Sequence, residues 1–161
     1  MASGQPYLST DADRWLYGVL SVDPLLQQYA PGGFWAEHPP ERTIMPCVRW
    51  WKQAPGKDLK RQDGMLGRVE SEPAYVVCML DKQPGGSLDK VYGTYGAAQS
   101  PQEPYFEAGA RRIATLLDGR LQTANGFQFF SYVLSEFNQS DPQPQGAYDV
   151  MLGSWVQLSV Q

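Results

Sequence analysis

One histidine and two cysteines are the residues of this chain best suited to nucleophilic or metal chemistry, and they stand far apart in sequence. A cysteine nucleophile needs a base within hydrogen-bond reach. His38 lies in Glu37-His38-Pro39-Pro40, a turn sequence, and no local spacing ties it to Cys47 or Cys78. Only the fold could bring such a pair together. Zinc takes about four ligands in recognisable clusters, and three isolated residues do not supply them. Cys47 and Cys78 each sit in an apolar, strand-like run, where a free cysteine behaves as a small buried hydrophobe. A disulfide between them requires that their strands be neighbours in a suitable register. Lys82-Gln83-Pro84-Gly85-Gly86-Ser87 reads as a turn, because it lacks the lysine that a phosphate loop places directly after its last glycine. Asp11 and Asp13 form a close carboxylate pair, and capping of a helix accounts for them. The expectation is no catalytic residue, no metal site and no cofactor, hence no enzyme.

The aromatic residues carry more information. Tyr148–Val160 alternates with the period of a strand: Tyr148, Val150, Leu152, Val156, Leu158 and Val160 share one face with Ser154. Asp149, Met151, Gly153, Trp155, Gln157 and Ser159 share the other. One face is written for a core, and the second holds Trp155 and Met151 with almost no charge, so Met151 and Trp155 are candidates for a covered sheet face. Residues 121–161 contain no Lys or Arg at all. Five tryptophans (Trp15, Trp35, Trp50, Trp51 and Trp155) fit a core plus a subunit interface, where Trp is enriched. They also fit a module that stacks on sugars or single-stranded bases.

At 161 residues, with 42% hydrophobic and 19% charged residues, the chain is expected to fold as a single domain spanning 1–161. No apolar run approaches the ~18 residues of a membrane helix, and no secretory leader is visible at the start. The net charge of −4 argues against nucleic acid as main partner. Its distribution is acidic, basic, acidic. Lys52, Lys57, Lys60, Arg61 and Arg68 lie in the basic middle and are candidates for contacts to a neighbouring subunit or a pore.

These residues must be positioned by a small set of elements. Thr10 is the expected cap of a first helix whose stripe is Ala12, Trp15, Leu16, Val19 and Leu20. Asp23-Pro24 starts a second, short turn of helix that Pro31-Gly32-Gly33 ends. Phe34-Trp35-Ala36 and Thr43–Trp51 are strands, the latter interrupted by Pro46. Ala74–Leu80 reads as a central strand covered on both faces. A polar arm spans 52–72 and a Gly-rich loop 81–101. Pro104–Asp118 is a helix with stripe Phe106, Ala110, Ile113, Ala114 and Leu117, and Gly119 takes the left-handed cap position. Phe127–Phe137 and Tyr148–Val160 close the chain as a hairpin with its tip at 138–146. The fold class is α/β in the α+β sense: a mixed or antiparallel sheet packed against two main helices, with an extended polar arm and a C-terminal β-hairpin.

In order and pattern this chain resembles the tail terminator (tail completion) proteins of long-tailed bacteriophages. The likeness rests on Asp13-Arg14-Trp15-Leu16-Tyr17-Gly18-Val19-Leu20, then Asp23-Pro24-Leu25-Leu26 and Ile44-Met45-Pro46-Cys47-Val48. It continues through the helix Glu107–Leu117 to the closing Trp155-Val156-Gln157-Leu158-Ser159-Val160. The long 81–101 and 138–146 segments depart from the pattern. The resemblance implies a homo-hexameric ring in the virion, made in the host cytoplasm. Such a ring caps the tail tube, stops its polymerisation and forms the joining surface for the head. Implied partners are other copies of the chain, the tail tube protein and a neck or head-closure protein, with no membrane and with DNA only passing through the lumen. Another neck ring component, a head-closure protein, is the near alternative, and an aromatic-rich glycan-binding module is the alternative from a different class.

Overall fold

The computed structural model describes residues 8–54, 74–84 and 105–160. Helix α1 (Ser9–Ser21) and the short α2 (Pro24–Tyr29) precede strands β1 (Phe34–Ala36), β2 (Cys47–Ala54) and β3 (Ala74–Pro84). Helix α3 (Tyr105–Leu117) leads into β4 (Arg120–Ala124), β5 (Phe127–Pro142), a 3-10 turn at Pro144–Gly146 and β6 (Ala147–Val160). The strands form one six-stranded sheet in the order β1-β2-β3-β6-β5-β4. β1 runs parallel to β2, and all other pairings are antiparallel. The fold is α+β, with a mixed sheet curled as a half-barrel and the expected C-terminal hairpin.

β6 lies inside the sheet, apolar on its helix-facing side and carrying Met151, Gly153 and Trp155 on the other. Its even-numbered residues from Val150 to Val160 are all buried, and the hydrophobic ones join the main core. The stripes of α1 and α3 meet them there, together with Val48, Trp50, Tyr75, Val77 and Met79 from β2 and β3. Trp15 stacks on Phe129 with ring centroids 5.1 Å apart. Burying each large apolar side chain of this kind contributes roughly 1.5–3 kcal/mol. All three described helices pack on this one face. Asp23 binds α2 to α3: its carboxylate accepts from the Leu26 amide at 3.0 Å, and from Arg112 Nε at 3.0 Å and Nη2 at 2.7 Å.

Several boundaries differ from the sequence reading, each for a local reason. α1 begins one residue before Thr10, and Asp11 reaches back to accept the Leu8 amide at 2.9 Å, so the carboxylate at the third helical position satisfies the end. Thr43–Pro46 lies outside β2, because Pro46 has no amide to give and its carbonyl accepts from Gly32 instead. Most of the hairpin tip is strand: Asn138–Pro142 pairs with Tyr148–Leu152, leaving residues 143–146 as the turn. Strand β4 is absent from the sequence reading. Its signal was Asn125-Gly126, whose φ angles of 53° and 84° fit the two-residue turn that joins β4 to β5. Lys52–Ala54 and Asp81–Pro84 belong to β2 and β3; the remainder of the polar arm and of the Gly-rich loop lies outside the described residues.

Candidate functional site

Met151 and Trp155, together with Cys47 and Cys78, lie on the side of the sheet away from the helices. Strand alternation and register lay it out in rows. One end row carries Lys82 opposite Asp149, joined as an ion pair. The next crosses Cys47, Leu80, Met151 and Gln139. The third crosses Trp35, Arg49, Cys78, Gly153 and Phe137, and the fourth Trp51, Val76, Trp155 and Ser135. At the far end Leu121, Phe130 and Ser159 form a row beside Tyr132 and Gln157.

A bulge in β5 makes this face possible. The ladder to β6 slips between Val133 and Ser135, with Leu134 the extra residue. Before the slip, Phe127, Phe129, Ser131 and Val133 face the helices; after it, Phe137 faces away. Phe137 then packs edge-on against Trp51 at 5.8 Å and Trp155 at 6.2 Å. Asp118 accepts the Val133 amide at 3.0 Å, which satisfies a backbone donor at the bulge.

Met151 is 2% exposed, covered by this chain's own Cys47, Cys78 and Leu80, with Trp35, Met45, Trp51 and Phe137 around them. Trp155 is half-buried against Phe137. The most exposed apolar groups of the face are farther along: Leu121 at 62%, Leu134 at 53%, Phe130 at 39% and Tyr132 at 37%. Leu121, Phe130, Gln128 and Ser159 line a shallow recess of about 230 Å³. Sequence reasoning missed this patch, because Leu121 belongs to the unrecognised β4 and Phe130 and Tyr132 alternate with the core residues of β5.

The reactive residues have structural surroundings. Cys47 and Cys78 are free and fully buried, and burial pushes both thiols up to about 12. A thiol so far from its thiolate is a poor nucleophile. Cys47 Sγ contacts Met45 Sδ at 3.8 Å, while His38 turns its Nδ1 to Arg49 Nη2 at 3.2 Å. Asp11 caps α1, and Asp13 accepts from Trp50 Nε1 at 3.3 Å; burial raises the Asp13 carboxyl above its ordinary value. Among the described residues, no group of three or more His, Cys, Asp or Glu could hold a metal. Lys52 is exposed on the helix side of β2, where its charge acts on Asp13. Lys57, Lys60, Arg61 and Arg68 lie outside the described residues.

Compared with known protein families, curated proteins and solved structures, the chain finds no match. No described helix is long and apolar enough to cross a membrane.

Proposed function

We propose that this chain is a structural subunit, a ring-forming tail terminator of a bacteriophage that caps the tail tube and presents a joining surface to the neck. The observation that carries this reading is the outer sheet face, on which Leu121, Phe130, Tyr132 and Leu134 are open to solvent beside the Trp51–Phe137–Trp155 cluster. Exposed apolar groups gathered on one face are what an assembly surface requires. The order of elements and the residues that resemble the terminator family support it further. In this reading the ring, about six copies, acts by occupying the end of a polymer. Its activity needs shape and stoichiometry, with no reactive side chain. A head-closure ring shares these requirements.

Negative-stain imaging of the purified protein, with light scattering across a concentration range, tests the proposal. Rings of about six copies are the expected result. A mass fixed near 18.0 kDa at high concentration, with no ring in particles, overturns it. The tilted Phe130–Tyr132 pair, 5.8 Å between centroids, supports a glycan-binding surface as the competing reading. That reading predicts a monomer whose affinity for oligosaccharide falls when either ring is removed.

A further inference from the structure

Arg49 is a cation held in place with no counter-ion among the described residues. Its guanidinium lies over the Trp51 ring, 4.5 Å from the centroid. Nε donates to the Glu37 carbonyl, Nη2 to His38 Nδ1 at 3.2 Å, and Nη1 to Met151 Sδ at 3.7 Å. Arginine can only donate, so in this contact His38 accepts through Nδ1. Among the described residues, no carboxylate lies within ion-pair distance of Arg49. Asp149, on the same face, is taken by Lys82. A solvated surface arginine samples many rotamers, whereas this one is fixed at four points and half-buried.

The Glu37 turn fixes the backbone beside Arg49. Glu37 adopts a left-handed conformation (φ 64°), uncommon and unfavourable for a residue with a side chain. The turn gives the Glu37 amide to the Trp50 carbonyl at 2.7 Å, aims the Glu37 carbonyl at Arg49 Nε and sets His38 beside Nη2. Of the five guanidinium N–H groups, three have acceptors among the described residues, and each terminal nitrogen carries a second N–H. The two terminal nitrogens are the forked end of the guanidinium that can offer N–H groups to the two oxygens of a carboxylate.

We infer that Arg49, framed by Trp51, His38 and Glu37, is a receptor for a carboxylate, supplied either by a free carboxylic acid or by an acidic side chain of a second copy of this chain. The inference does not rest on ring formation, and its test separates the two sources. Sodium succinate is titrated into dilute isotopically labelled protein at constant ionic strength, with sodium chloride as control. The Arg49 Nε–H and Trp51 indole resonances are followed. Mass is measured in parallel against protein concentration, with and without succinate. Arg49→Lys keeps the charge and removes the fork, so it should weaken binding by about tenfold or more, the equivalent of one charge-assisted hydrogen bond. Saturable shifts in the wild type with a mass that ignores succinate assign the site to a free acid. A mass that rises with concentration, and falls both with succinate and in Arg49→Lys, assigns it to a second copy. Either result supports the receptor. It is overturned if wild-type shifts do not saturate and mass ignores succinate, or if Arg49→Lys binds as the wild type does.

Discussion

At the scale of single residues, two glycines show how closely the chain is packed. A Cβ on Gly153 would sit 2.1 Å from the Val77 carbonyl oxygen and 2.4 Å from Cys78 Cα, both backbone atoms of the neighbouring strand. A Cβ on Gly109 would meet Met79 at 2.5 Å, but only the flexible end of its side chain. Gly153→Ala should therefore cost about 1–3 kcal/mol or more, since backbone must move. Gly109→Ala gains helix propensity that offsets the shift of Met79, so its net change should stay within about 1 kcal/mol. Urea unfolding of the two variants checks the ordering; equal losses would mean that β3 and β6 can separate freely at this point. Neither requirement was legible in the sequence, where Gly153 is merely one small residue in an apolar strand. The need for it comes from Cys78, placed directly opposite by the register of two strands far apart in the chain.

At the scale of elements, local signals predicted well wherever a local cause decides the outcome. Asp23-Pro24 starts α2, Gly119 is left-handed at φ 70°, and the apolar stripes of α1 and α3 face the core. The signals failed where a long-range pairing decides. Phe127, Phe129, Val133 and Phe137 share parity, so simple alternation puts all four on one face, and only the bulge sends Phe137 to the other. Phe137→Ala should thus disturb the outer aromatic cluster, changing near-ultraviolet circular dichroism from Trp51 and Trp155, while the Trp15–Phe129 stack under the helices stays intact. The Asp23–Arg112 link gives a pH prediction. Hydrogen bonds from Arg112 hold the Asp23 carboxyl below its ordinary 3.8, so the stability it contributes is present above that value and lost as pH falls through the lower folded one. Asp13 has the opposite sign: burial raises its pKa, so acidification first relieves a cost there before Asp23 is titrated. Asp23→Asn should lower stability at neutral pH by about 1–3 kcal/mol and flatten the loss below pH 3.8. Unfolding midpoints measured across that range, wild type against variant, decide it.

At the scale of the whole molecule, the sheet has two unlike faces: one closed by helices, the other closed only in part by the described residues. The sequence marked the second face through Met151 and Trp155, yet those two residues do different work. Met151 sits inside a satellite core with Cys47, Cys78 and Leu80, so an aspartate there buries an unpaired charge within the subunit. Met151→Asp should unfold the chain, at a cost of several kcal/mol or about that order, and would report on folding more than on assembly. The open patch is the sharper probe. Leu121 and Phe130 face solvent across β4 and β5, and a charge on either can stay hydrated in the isolated subunit. Leu121→Asp with Phe130→Lys places opposite charges across the β4–β5 pair, so the unfolding midpoint should fall only modestly, by about 1 kcal/mol in stability. In an assembled state those same charges would be driven into an apolar contact and would block it. The pair of measurements is a melt for folding and light scattering for assembly, made on the double variant and on Met151→Asp. Loss of assembly with an intact melt in the double variant identifies the patch as the contact between copies. Normal assembly of that variant would remove the patch from the interface and turn attention to the rows through Arg49 and Trp51 on the same face.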